Sequence, residues 1–482
     1  MKSYQMFING EFVTNRSGKT TAVMNPATEE IISEIPEGTV ADVDAAVEAA
    51  EQAQESWAKL PAIERAGYLR KIARGVRENA EELAKTIAEE QGKIMPLARV
   101  EANFTADYMD YMAEFARRYE GEIIQSDRPN ENIFLFKLPI GVIAGILPWN
   151  FPFFLIARKM APALVTGNTI VIKPSRETPN NAFEFAKIVA KTSLPKGVFN
   201  LISGPGSSVG NALAGHPKVG MVSFTGSVDS GVAIMRAASE NVTKVSLELG
   251  GKAPAIVMAD ADLDLAAAAI RNSRIINTGQ VCNCAERVYV HESVADKFIE
   301  KVTAAMKNTK FGNPLTEPDI DMGPLVSKQQ LELVEAAVKQ AVADGAKLVL
   351  GGKRAETAHG FHYEPTVLIN CGQKTAIMQK ETFGPVLPIT TFKDLDEAIE
   401  LANDCEYGLT SSIYTRNLDV AMRACKEIKF GETYINRENF EAMQGFHAGW
   451  RKSGIGGADG KHGLEEYLQT HVVYLQYNQN IK

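Results

Sequence analysis

At 482 residues the chain exceeds what one compact core holds, so two or more domains are expected. Apolar and charged fractions of 45% and 23% are those of an ordinary soluble globular protein, and a net charge of −8 excludes a nucleic-acid partner held on a basic face. No apolar run reaches bilayer-spanning length, the opening Met1-Lys2-Ser3-Tyr4-Gln5 lacks the apolar core of a signal peptide, and five cysteines, an odd number, argue against a disulfide framework. A cytoplasmic location with no membrane partner is expected.

Asn9-Gly10, set between β-favouring residues in 7–13, predicts a hairpin, and Asn25-Pro26-Ala27-Thr28 a turn. Alanine-rich helical periodicity covers 40–58 and 62–92, divided by Pro61, which suits a first helical turn, and a third helix runs from about 97 to 118. These helices cover a sheet and carry no chemistry. In 121–137 two short β runs flank the polar turn 126–130, and 470–477 is again β-rich. A lone hairpin is marginal in water, so both segments are expected to pair with something else.

The run 141–147 reads as a buried strand that ends at Pro148-Trp149-Asn150-Phe151-Pro152 and is followed by a helix over 151–164. Side chains with functions lie at such strand ends in open α/β sheets. Asn150 there is either an oxyanion donor or a helix cap. A strand over 169–173 ends in Lys173, a candidate ligand contact or a plain surface lysine. The stretch 199–210, with Gly206, reads as strand, turn and helix start, but has one residue too many for the Gly-x-Gly-x-x-Gly fingerprint. Next, 222–231, with Phe224, Gly226 and Ser227, opens a helix whose free N–H groups would attract a pyrophosphate.

Glu248 ends the strand 244–248 between Leu247 and Leu249. Desolvation there would raise its pKa toward general-base duty; the alternative is an ion-paired structural carboxylate. Beyond Lys252 a second α/β unit is expected, with helices over 263–276, 294–307 and 329–344 and strands over 288–291, 347–350 and 364–368. Cys282 falls at the junction between the first of these helices and the first of these strands. Gly279 permits a sharp turn and close approach of a ligand there. Cys282 is a candidate nucleophile; the alternative, preferred for Cys284, is a small buried hydrophobe. The segment 434–457 is long, polar and aromatic, which in a compact enzyme indicates function. Its Arg437, Glu441, Phe446, His447 and Trp450, with Arg158 and Asn283, are expected to line a polar mouth suited to a small, hydrogen-bonding substrate. No histidine has zinc-like spacing, so no metal site is expected.

Taken together, Pro148-Trp149-Asn150-Phe151-Pro152, Lys173-Pro174-Ser175, Phe224-Thr225-Gly226-Ser227, Leu247-Glu248-Leu249-Gly250-Gly251-Lys252, Gly279-Gln280-Val281-Cys282 and Glu381-Thr382-Phe383-Gly384-Pro385 resemble the aldehyde dehydrogenase superfamily, in order and over nearly the whole chain. The segments around Asp110-Tyr111-Met112 and Asn436-Arg437-Glu438-Asn439-Phe440 look most like its bacterial lactaldehyde/glycolaldehyde branch. The resemblance implies an α/β fold of two Rossmann-type domains plus a small β oligomerisation domain. Residues 1–120 and 138–247 would bind the dinucleotide, 248–462 would form the catalytic domain, and 121–137 with 463–482 would assemble a homotetramer as a dimer of dimers. It further implies Cys282 as nucleophile, Asn150 and the Cys282 backbone N–H as oxyanion hole, and Glu248 as the base that activates water.

NAD or NADP would then lie against Trp149, Lys173, Gly206, Phe224, Gly226, Ser227 and Leu249, with Glu381 on the nicotinamide ribose and Phe383 beside the ring or simply packed in the core. Arg176 stands where many NAD-preferring members carry a glutamate, followed here by Glu177. A guanidinium there pairs with a 2′-phosphate that a carboxylate would repel. Arg158, Asn283, Glu441 and His447 are the substrate candidates. The rival readings are a CoA-acylating enzyme, which Glu248 argues against; a dehydrogenase for an anionic semialdehyde (succinate semialdehyde or a sulfonated aldehyde) anchored by Arg158 or Arg437; and a non-catalytic binding protein on the same fold.

Overall fold

Met6–Ile8 and Glu11–Val13 pair antiparallel around Asn9 and Gly10, whose φ values of 53° and 76° are those a two-residue hairpin turn requires. In this computed structural model, which describes residues 1–478, the hairpin closes one edge of an eight-stranded sheet. Residues 479–482, the end of the stretch expected to assemble copies, lie outside the described residues. From the opposite edge the strands run Gly454–Ile455, Lys244–Glu248, Val219–Thr225, Val142–Ile146, Thr169–Lys173 and Phe199–Leu201 before reaching the hairpin. The five from Lys244–Glu248 to Phe199–Leu201 are parallel, and every residue of Val142–Ile146 is buried, as expected of a parallel sheet covered on both faces. In register, Ile146 lies beside Lys173 and Thr225 beside Glu248, so the segments that carry Asn150, Lys173, Ser227 and Glu248 leave the sheet at one end.

One face of this sheet is covered by Val40–Lys59 with Val228–Ser239, and the other by Ala62–Glu78, Met95–Glu114, Phe154–Val165 and Asn180–Ala190. The single helix expected over 62–92 is two, Ala62–Glu78 and Ala80–Gln91. Asn79 leaves the helical backbone (φ −115°, ψ 13°) and its side-chain amide donates to the Gly75 carbonyl, which ends the first helix. The third helix is Met95–Glu114, followed by a tight turn, Phe115–Arg117.

A second sheet of seven strands runs Lys347–Leu350, Thr366–Ile369, Val386–Phe392, Arg287–His291, Pro254–Val257, Thr410–Tyr414 and Glu432–Ile435, parallel except for the first. Helices Leu263–Ile275, Ala295–Lys307 and Lys328–Ala343 agree with their expected positions; four of the seven strands were not anticipated. Gly454–Ile455 crosses back to pair with Lys244–Glu248, so a piece of the expected catalytic region closes the first sheet. Glu122–Gln125, Glu131–Pro139 and Leu468–Gln476 form a separate antiparallel sheet of three strands. No helix among the described residues is long and apolar enough to cross a membrane.

Candidate active site

After Leu263–Ile275 the backbone turns left-handed at three successive residues, Asn277, Thr278 and Gly279 (φ 48°, 60° and 73°). For the first two this conformation costs roughly 1–3 kcal/mol each, so surrounding bonds must hold it. The Thr278 hydroxyl donates to the Gly323 carbonyl (2.9 Å) and the Asn277 amide to the Asn150 carbonyl (3.1 Å). Gln280 donates to the Asn277 carbonyl and accepts the Val326 N–H, both at 2.9 Å. At Gly279 a Cβ would lie 2.3 Å from the Gly384 carbonyl oxygen. The close approach expected of a ligand is thus made by another backbone segment.

The loop delivers Cys282, partly accessible, to the wall of a cavity of ≈ 480 Å³ between the two sheets. Cys284 turns away: it is fully buried, its thiol donates to the Val281 carbonyl (2.9 Å), and burial pushes it up to about 12. Trp149, Asn150, Arg158, Gly226, Ser227, Glu248, Leu249, Asn283, Glu381, Phe383, Glu441 and His447 line the same cavity as Cys282.

Asn150 is buried, and one side-chain N–H donates to the Gln280 carbonyl (3.1 Å), which leaves the second. It caps no helix; Phe154–Val165 starts four residues later. Glu248 is buried with neither oxygen hydrogen-bonded. Burial pushes it up to about 7 against the pull of His447, Arg158 and Lys159. Its nearest cation is His447, whose Nε2 lies 3.5 Å from Glu248 Oε2 and whose Nδ1 lies 2.5 Å from Glu432 Oε1. Burial and Arg158 oppose a charge on His447, but Glu432 and Glu248 outweigh them and raise its pKa. Burial also raises the Cys282 thiol, while the neighbouring imidazole favours its thiolate.

At the base of the cavity Arg158 is buried and already paired. Nε and Nη2 donate to the two oxygens of Asp459, and Nη2 also lies 3.5 Å from Glu441 Oε1. Glu441 Oε2 accepts the Asn283 amide. Three residues expected at the mouth are elsewhere. Arg437 bonds Glu438 and the Phe440 carbonyl, Phe446 packs on His462, and Trp450 is half exposed; none lines the cavity. They point outward from the segment, whereas His447, bridged to Ala458, is buried. Phe104, Phe151, Phe154 and Phe440 line the cavity instead, so aromatic side chains share it with the polar group around Arg158.

The remaining cofactor candidates divide into two groups. Phe383, in a left-handed conformation (φ 52°), meets Trp149 edge-on at 5.2 Å. Its N–H and that of Thr382 donate to Glu286, which is buried between Lys252 (2.7 Å) and Arg274 (2.8 Å). Glu381 accepts the Gly251 N–H (2.9 Å) and is pushed up to about 8, by burial and then by Glu286. Ser227 caps Val228–Ser239. Phe224, by contrast, lies beneath Gly226, where a Cβ would come within 2.5 Å of its ring, so it shapes the turn and does not face the cavity. Lys173, Arg176 and Gly206 also lie off the cavity. Gly206 opens a wide helical turn, Gly206–Gly210, which runs beside the Lys173 side chain. Lys173 is buried with a single hydrogen bond, to the Pro174 carbonyl, and burial lowers it to about 8. Arg176 is exposed with no ion pair among the described residues; the Glu177 carboxylate accepts the Ser175 hydroxyl.

Sequence reasoning missed Lys93, Glu101, Glu286, Glu432 and Asp459. None stands in a recognisable motif, and each acts through a partner distant in sequence; a buried charge opposite a candidate is visible only once the chain is folded.

A cysteine and a buried carboxylate facing one cavity, where a parallel sheet meets a second α/β unit, are the makings of an enzyme that oxidises aldehydes through a covalent sulfur adduct. The chain belongs to the aldehyde dehydrogenase family, whose model matches residues 12–473. It is 64% identical over 473 residues to the lactaldehyde dehydrogenase of Escherichia coli (strain K12), covering 98% of each chain. The crystal structure of lactaldehyde dehydrogenase from Escherichia coli superposes with a TM-score of 0.98 over 98% of this chain and 99% of that one, at 64% identity. The D-glyceraldehyde dehydrogenase (NADP(+)) of Picrophilus torridus is 38% identical over 478 residues, 98% of this chain and 96% of that protein.

Proposed function

We propose that the chain oxidises a short hydroxyaldehyde, lactaldehyde or glycolaldehyde, to its carboxylic acid with NAD or NADP. The carrying observation is the polar base beside Cys282, where Glu441 and Asn283 offer hydrogen bonds to a hydroxyl and the Arg158 charge is already met by Asp459. The names of its relatives support the same class. An anionic semialdehyde has less to hold it, since Arg158 is paired and Arg437 lies off the cavity.

In this reading the Cys282 thiolate attacks the carbonyl carbon, and the new oxyanion accepts the free N–H of Asn150 and the backbone N–H of Cys282. When bound, the nicotinamide supplies the acceptor for the hydride that leaves this carbon. The carbon is then a thioester on Cys282. Glu248 takes a proton from water, the resulting hydroxide adds to the thioester, and the carbon–sulfur bond breaks to release the acid and restore the thiolate. That water chemistry is the reason to prefer hydrolysis over transfer to CoA.

The chain's own residues fit a dinucleotide. The helix start after Gly226 offers N–H groups to phosphates, and the buried Lys173 ammonium has one protein acceptor for three N–H donors. Trp149, Phe383 and Glu381 line the cavity. Arg176, exposed and unpaired, is free to meet a 2′-phosphate, so NADP is accepted alongside NAD. We assign 1–120 and 138–247 to the dinucleotide-binding domain, 248–462 to the catalytic domain, and 121–137 with 463–482 to assembly of a cytoplasmic homotetramer.

The test is the initial rate at 340 nm with lactaldehyde and glycolaldehyde, NAD and NADP in parallel, alongside succinate semialdehyde. Turnover of the hydroxyaldehydes above the semialdehyde is expected, and Arg176→Glu shifts the cofactor ratio toward NAD. Turnover of the semialdehyde alone would overturn the substrate assignment.

A further inference from the structure

Behind the oxyanion donor lies a buried ion pair. Lys93 and Glu101 are fully buried and 2.5 Å apart. The Lys93 ammonium sits 3.6 Å from the centre of the Phe151 ring and donates to the Asn150 backbone carbonyl (2.8 Å). The other Glu101 oxygen accepts the N–H groups of Phe153 (2.9 Å) and Phe154 (3.1 Å), the entry to Phe154–Val165. The pair therefore grips both ends of the irregular segment from Asn150 to Phe154.

A carboxyl group caps a helix without a lysine elsewhere in the protein: Glu90 is buried, accepts the N–H groups of Asn180 (2.6 Å) and Asn181 (2.9 Å) at the start of Asn180–Ala190, and has no ion-pair partner among the described residues, and burial pushes it up to about 8. At Glu101 a cation has been added, and its spare N–H reaches the residue that carries the oxyanion amide. Burying two charges gains little stability over an apolar pair of similar volume, so such a pair is best explained by a geometry it fixes. Asn150 is then held from both sides: its carbonyl by Lys93 and Asn277, its side-chain amide by Gln280.

We propose that Lys93 and Glu101 are positioning residues that fix the Asn150 amide for the oxyanion. This rests on the assignment of Asn150 to the oxyanion hole. If they act through Asn150, their loss has no further effect once Asn150 is gone.

The experiment compares Asn150→Ala, the isosteric pair Lys93→Met/Glu101→Gln, and the triple variant. The glutamine keeps an oxygen for the Phe153 and Phe154 N–H groups. Rates of reduced-cofactor formation are read with KM, and iodoacetamide alkylation of Cys282 serves as an independent check of the site. Loss of a single oxyanion donor lowers kcat by about 10²–10³-fold. Asn150→Ala is expected in that range. The pair is expected to lower kcat by at least about tenfold with KM little changed, to alkylate within about twofold of the parent rate, and to add nothing in the triple variant. A pair within about twofold of wild-type kcat, or a triple loss equal to the product of the two, would overturn the proposal while leaving Asn150 in its role. Wild-type kcat in Asn150→Ala would remove the oxyanion assignment itself, and this proposal with it. Should the paired variant fail to fold, Lys93→Gln is judged by the same criteria.

Discussion

Glu248 is a carboxylate without hydrogen bonds, and that isolation governs its chemistry. Burial pushes its pKa up to about 7, and the cations His447, Arg158 and Lys159 limit the rise. A general base must be ionised, so thioester hydrolysis is expected to increase as pH rises through about 7 and then level off. Stopped-flow traces of reduced-cofactor formation across this range check it. Glu248→Gln is expected to lose the inflection and slow hydrolysis by roughly 10²–10⁴-fold, leaving a burst of about one reduced cofactor per active site. A wild-type rate with the inflection retained would take Glu248 out of this role. The placement of Cys282, Asn150 and Glu248 around one cavity was legible in the sequence because each stands in a short motif at the end of an element. Their supports were not. Arg158 and Asp459 lie 301 positions apart, and nothing in either neighbourhood announces the other.

At the scale of elements, local chemistry was legible where it decides alone and illegible where tertiary bonds decide. Asn9-Gly10 dictates its hairpin from two residues. Asn79 breaks a helix that its neighbours' periodicity would have continued. The nucleophile loop combines the two cases, since Gly279 signals a turn but not what crowds it. Gly279→Ala sets a Cβ 2.3 Å from a backbone oxygen at a φ of +73°. Gly18→Ala meets comparable strain (φ +67°) in open space, with nothing within 4 Å. Gly18→Ala is therefore expected to cost only about 1 kcal/mol, and Gly279→Ala about 3 kcal/mol or more, because neither backbone segment can yield. Thermal unfolding measures both. Cys282 alkylation should slow in the second variant alone; equal stability losses would mean that the contact with Gly384 relaxes freely.

At the scale of the whole molecule, the three-stranded sheet carries exposed apolar side chains on both of its faces. On the three-stranded sheet Ile123 is 74% and Tyr474 66% exposed, and Ile124, Phe136, Leu138, Val472 and Leu475 are each at least 40% exposed. The two β-rich runs were readable from sequence, but their pairing was not: Lys137 and Thr470 are 333 residues apart, and only the folded chain brings them into one sheet. A two-stranded hairpin is marginal by itself, and exposed apolar patches mark contact surfaces. The proposed assembly would bury this sheet against another copy. Ile123→Asp with Tyr474→Asp places one charge on each face of that sheet, and neither residue lines the cavity. For a dimer of dimers joined through this sheet, sedimentation velocity is expected to show the mass halved, with catalytic constants per chain within about twofold of the parent, since the substitutions fall at surface positions away from the chemistry. An unchanged mass would place the contact between copies on another face and leave these side chains exposed for a reason the fold does not supply.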